Sequence, residues 1–152
     1  MVNRYREILC PTDFSGHGVA AARRAVELTR LFGARLTLLH VVADFPEVRS
    51  NEDIPPEDMD PAAYRREQAL SRLADLAREV DCEEARREVV FTPLSARHGI
   101  VRFAEEGGFD LIVMATHGRH GIGHIVGSTT SGVVQVAPCD VLAVRAREES
   151  GG

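Results

Sequence analysis

The 152 residues suit one domain large enough to bury a core, and 44% hydrophobic with 27% charged residues is a globular composition rather than a disordered one. A net charge of −5 argues against a general nucleic-acid binder. No apolar run approaches the ~20 residues of a membrane helix, and the opening MVNRYREILC lacks the apolar centre of a signal peptide.

Glu7 to Cys10 reads as a short buried strand closed by Pro11-Thr12-Asp13, with Ser15 as the cap of a following helix. From Val19 to Phe32, Ala21, Ala22, Ala25, Leu28, Thr29 and Phe32 recur at helical spacing, and Gly33 supplies the stop. Ala34 to Val42 is nearly continuously apolar, as expected of a strand covered on both faces. Asp44 to Pro61 changes character: four prolines and seven acidic residues mark a long surface loop. Ala62 to Val80 follows as a charged amphipathic helix with Leu70, Leu73, Leu76, Ala77 and Val80 on its buried side.

Arg87 to Phe91 is the third expected strand, and His98 to Glu106 a helix ended by Gly107-Gly108. Leu111 to Ala115 is the fourth strand. Ser128 to Val136 is a helix stopped at Pro138, and Asp140 to Arg145 is the fifth strand. One domain over residues 1–148 with a loose 149–152 tail is expected. Strands alternate with helices throughout, which calls for a doubly wound α/β sandwich around a parallel sheet. Ligands in such sheets sit at the carboxyl ends of the strands, where strand order reverses.

Between the fourth strand and the last helix lie Gly118, Gly121, Gly123 and Gly127, then Ser128, Thr129 and Thr130. A strand, a glycine loop and a helix N-terminus in that order suit an anion. Glycines let backbone N–H groups approach a phosphate, and the helix dipole favours negative charge. Arg119 adds a guanidinium that can grip phosphate oxygens. The stretch is neither a P-loop nor a GxGxxG fingerprint, and many such loops only turn the chain. Asp13, just past a strand end, can accept hydrogen bonds from ribose hydroxyls or simply serve the turn. His40 is either a satisfied core histidine or a pocket residue. His117, His120 and His124 match no zinc spacing, so no protein-held metal is expected. Cys10, Cys82 and Cys139, odd in number and far apart, fit free thiols in a reducing cytoplasm.

The motifs ILCPTDFS, GARLTLLHVV, FDLIVMATHGRHG with GSTT, and APCDVLAVR together resemble the universal stress protein family, in its single-domain form. The resemblance implies a five-stranded parallel sheet in the order 3-2-1-4-5 within a three-layer α/β/α sandwich. For one branch it implies ATP bound at the end of the sheet. The ATP-binding set it implies is Pro11, Thr12 and Asp13 from the first strand end, Val41 against adenine, and Met114 and Ala115 from the fourth strand. Gly118, Arg119, Gly127, Ser128 and Thr129 complete it around the phosphates. Magnesium or manganese would come with the phosphates rather than be held by side chains.

Two departures stand out. Ala115 occupies the position where the branch usually has its first glycine, and eight residues rather than nine separate Gly118 from Gly127. The resemblance also implies a homodimer through the strand Asp140–Arg145, whose apolar edge supports this independently. The expected function is therefore a nucleotide-binding stress or signalling module acting as a homodimer, a binding protein rather than an enzyme and at most a very slow ATPase. A protein partner is expected, its identity open. The alternative is the same fold without nucleotide binding, regulating a partner protein.

Overall fold

A computed structural model describes residues 5–43, 57–117 and 126–146. Their element order is β1 (Glu7–Pro11), α1 (Gly16–Phe32), β2 (Arg35–Ala43), α2 (Pro61–Glu79), β3 (Arg86–Thr92), α3 (Ala96–Gly107), β4 (Leu111–Ala115), α4 (Ser128–Val136) and β5 (Asp140–Val144). The five strands form one parallel sheet in the order β3-β2-β1-β4-β5, the order that the resemblance implies. Strand order reverses between β1 and β4, where Ile8 pairs with Leu111 and Leu9 with Ile112.

The pleat sends alternate side chains to opposite faces. Ile8 and Cys10 of β1, with Leu111 and Val113 of β4, join a core under α1 and α2. Leu9, Ile112 and Met114 join a second core under α3 and α4. Both faces are covered, which is why these strands are apolar at every position rather than at every second one.

Several boundaries differ from the sequence pattern for identifiable reasons. α1 begins at Gly16, ahead of Val19, because its first turn is Gly-His-Gly and carries no apolar signal. Ser15 is the N-cap residue, but its side chain makes no cap bond, contrary to expectation. α3 starts at Ala96, where the Ser95 hydroxyl accepts the His98 N–H at 3.3 Å. On α2, Leu70 is 36% exposed, and Ala69 takes the buried position. The buried stripe is therefore Ala69, Leu73, Leu76, Ala77 and Val80. Arg145 falls just beyond β5, which ends at Val144. Gly33 and Gly108 end α1 and α3 at φ +65°, the left-handed conformation glycine adopts without penalty.

Candidate functional site

The carboxyl end of the sheet at the β1–β4 reversal opens into a cavity of about 310 Å³. Its first wall is the chain leaving β1. The Thr12 N–H donates to the Leu39 carbonyl at 2.9 Å, which continues the β1–β2 ladder one residue past the strand. The chain then turns sharply. The Phe14 N–H donates to the Thr12 hydroxyl, and the Ser15 N–H donates to Oδ1 of Asp13, each at 3.0 Å. Phe14 itself sits at φ +65°, an unusual conformation for a bulky residue. Asp13 is thus a turn carboxylate and a cavity residue at once, so both of its expected roles are compatible.

α1 has to start close to this turn. A Cβ on Gly18 would lie 2.8 Å from the Thr12 hydroxyl oxygen, so a side chain there would displace the turn. His40 at the end of β2 bonds through Nδ1 to the Thr12 carbonyl at 2.9 Å. A carbonyl only accepts, so Nδ1 carries the proton. The His40 ring lies 4.4 Å from Phe14, and the Arg72 guanidinium of α2 sits 4.7 Å over that same Phe14 ring. His40 is thus both a satisfied histidine and a residue of the cavity wall.

The second wall is apolar. Val41 from β2, Ile100 from α3 and Met114 from β4 line it. α3 approaches β2 closely here because Gly99 faces Val41.

The third wall joins β4 to α4. The Thr116 N–H donates to the Val144 carbonyl at 3.0 Å and the Gly127 N–H to the Thr116 carbonyl at 2.7 Å. The Thr130 hydroxyl donates to the Ala115 carbonyl at 2.6 Å. These bonds pin the start of α4 over the end of β4. The first intrahelical bond runs from the Ser131 N–H to the Gly127 carbonyl. Among the described residues the N–H groups of Ser128, Thr129 and Thr130 are then the orphan donors of the first turn, and the N-cap glycine offers no side chain to them. Gly127 lines the cavity, but its own N–H is engaged with Thr116.

The cavity gathers Pro11, Thr12, Asp13 and Val41 with Met114, Ala115, Gly127, Ser128 and Thr129. Gly118 and Arg119 lie outside the described residues. Sequence reasoning missed Gly18, Ala96, Ile100 and Thr130 as wall residues. It weighed His117 only as a metal ligand, yet this residue also lines the cavity. Among the described residues no cluster of three or more His, Cys, Asp or Glu could hold a metal ion. His120 and His124 fall outside them. Cys10, Cys82 and Cys139 are free thiols, and burial pushes Cys10 up to about 12.

Four similarities to known proteins bear on this arrangement. Universal stress protein A homolog 1 of Coxiella burnetii is 30% identical, over 95% of this chain and 99% of its own length. The solved structure of universal stress protein UspA from Lactobacillus plantarum superposes with a TM-score of 0.71 at 28% identity, covering 95% of this chain and all of that one. A universal stress protein solved in complex with cAMP shares the fold, with a TM-score of 0.63 at 22% identity over 93% of this chain and 98% of that one. The model of the universal stress protein family matches residues 4–145, which takes in every strand of the sheet and all three walls of the cavity. The chain belongs to the universal stress protein family.

Proposed function

We propose that the protein is a nucleotide-binding stress or signalling module that holds ATP in the cavity at the β1–β4 reversal. The observation that carries this reading is the pairing, in one cavity, of an apolar wall with helix N–H donors that have no partner among the described residues. Val41, Ile100 and Met114 offer a surface for a flat base. Asp13 stands at the neighbouring strand end and lines the cavity, where a carboxylate can accept hydrogen bonds from ribose hydroxyls. The amides of Ser128, Thr129 and Thr130 point along a helix N-terminus, where phosphate is favoured by both hydrogen bonds and dipole. The residues present therefore fit a nucleotide. The cAMP complex of a relative adds support for an adenine nucleotide of some kind. Magnesium or manganese would arrive with the phosphates.

The same reading includes a homodimer through β5. We read the protein as a binding protein, with hydrolysis slow at most. Calorimetry with ATP and Mg²⁺ tests the nucleotide, with a dissociation constant in the micromolar range expected, about −8 kcal/mol. No heat and no thermal shift at millimolar ATP overturns it. The alternative, a partner-binding regulator of the same fold, then becomes the better reading. Its support is the one-residue-shorter spacing between Gly118 and Gly127.

A further inference from the structure

His117 follows Thr116 at the exit of β4, beside the N-terminus of α4. Its side chain is 8% exposed, and it lines the nucleotide cavity. Nδ1 lies 2.9 Å from the Thr116 hydroxyl oxygen. Nε2 is buried and has no hydrogen-bond partner among the described residues. A buried polar atom left unpaired is costly, and in a native protein it calls for an explanation. The ring of His17, in the first turn of α1, stands 5.8 Å away.

We propose that His117 is a binding residue for the terminal phosphates and sets a preference for ATP over AMP. This rests on the nucleotide reading above. The amides of Ser128, Thr129 and Thr130, which have no partner among the described residues, suffice for a single phosphate. The buried imidazole is a second donor, left over for a second anionic group. A phosphate oxygen only accepts, so it selects the tautomer with the proton on Nε2. The Thr116 hydroxyl then donates to Nδ1, and both ring nitrogens are satisfied. Thr116 acts as the positioning residue: its N–H is tied to Val144, its carbonyl takes the Gly127 N–H, and its hydroxyl orients the ring.

Two substitutions separate the nitrogens. In His117→Asn the amide reaches about as far as Nδ1, so the bond to Thr116 survives while the Nε2 position is vacated. In His117→Gln the amide nitrogen reaches about as far as Nε2. AMP, ADP and ATP are titrated calorimetrically into the full chain and each variant, with melting temperatures recorded without ligand. The wild type should favour ATP over AMP by at least about tenfold, the scale of one charge-assisted hydrogen bond. His117→Asn should bring that ratio within about threefold with AMP affinity nearly unchanged, and His117→Gln should restore most of it. The proposal is overturned if His117→Asn weakens AMP and ATP equally, if it leaves the ATP preference intact, or if the wild type binds AMP and ATP alike. A wild type that binds none of the three overturns the nucleotide reading together with it.

Discussion

A Cβ on Gly99 would lie 2.7 Å from Cγ1 of Val41 and 3.3 Å from its Cγ2. This contact sets how closely α3 descends on β2, and so the depth of the apolar wall. Valine is stiff at χ1, so it cannot turn aside freely, and the Thr92 methyl stands 3.4 Å off on the same side. Alanine gains about 1 kcal/mol of helix propensity over glycine, against about 1–3 kcal/mol for overpacking. Gly99→Ala should therefore lower stability by up to about 2 kcal/mol and narrow the cavity. Adding Val41→Ala should relieve the clash, giving a coupling of at least about 1 kcal/mol in a double-mutant cycle. Strict additivity in urea melts would refute the contact.

Asp13→Ala should weaken ATP by roughly 1–3 kcal/mol, the scale of a hydrogen bond to a charged group. The loss would appear in calorimetry as a higher dissociation constant. Asp13→Asn keeps an oxygen for the Ser15 N–H, so it should hold the turn and recover part of the affinity. Asp13→Ala, which loses that acceptor, should melt below Asp13→Asn and bind ATP more weakly. Unchanged ATP binding in both would remove Asp13 from the site.

Gly127 stands at φ −61° and ψ 156°, extended backbone that any residue adopts. Gly127→Val should therefore fold normally. Its side chain would nonetheless stand at the mouth of the α4 N-terminus, where the phosphates are proposed to sit. ATP affinity should fall at least about tenfold, roughly the loss of one charge-assisted hydrogen bond. Wild-type affinity in a normally folded variant would move the phosphates elsewhere.

Cys10 has no exposed surface, and its thiol is pushed up to about 12 from an ordinary value near 9 by burial. The neutral thiol is the form the fold accepts, so its contribution is fully present below the unfolded value. Between about pH 9 and pH 12 the unfolded chain loses this proton and the folded chain keeps it. Stability should then fall by up to about 1.4 kcal/mol per pH unit from this group alone. The stability gap between wild type and Cys10→Ala should shrink correspondingly from pH 9 to pH 11 in denaturant titrations. Parallel pH profiles would show that the thiol titrates normally.

The strands were legible because a doubly covered parallel strand is apolar throughout, as in Leu36 to Leu39; their order in the sheet came from the family resemblance and matches β3-β2-β1-β4-β5. The walls at the strand ends were legible for a related reason: a reversal of strand order forces the ends of β1 and β4 together. What escaped the sequence depends on close approach. Gly18 and Gly99 read as weak helix residues, and only the packed structure shows that Thr12 and Val41 occupy the space a side chain would need. Leu70 was misassigned because Ala69 and Leu70 both fit a helical stripe, and a rotation of one residue decides between them. The positive φ of Phe14 has no signature in its residue type. It follows from the hydroxyl of Thr12 and the carboxylate of Asp13 both capturing N–H groups two residues on.

The remaining prediction concerns assembly. β5 pairs with β4 on one side and is the last strand of the sheet, so among the described residues nothing pairs with the N–H and C=O groups of its other side. Leu142 on this strand is 36% exposed, and the adjoining α4 adds Val134 at 55% and Val136 at 56%. Within Asp140–Val144 there is no Pro, Lys or interior Glu to discourage pairing. Tyr5 donates its hydroxyl to Asp140 at 2.6 Å, which fixes the start of the strand. Two copies joined edge to edge would be isologous, with one nucleotide site in each. Light scattering across a dilution series should report about 33 kDa, twice the 16.6 kDa of the chain. Leu142→Lys puts a charge on the exposed strand and should shift the particle toward 16.6 kDa with little change in melting temperature at high dilution. Proline at Val141 or Val144 is a harsher test, because it also removes a ladder donor. A wild type that remains a 16.6 kDa monomer at tens of micromolar would rule the edge pairing out.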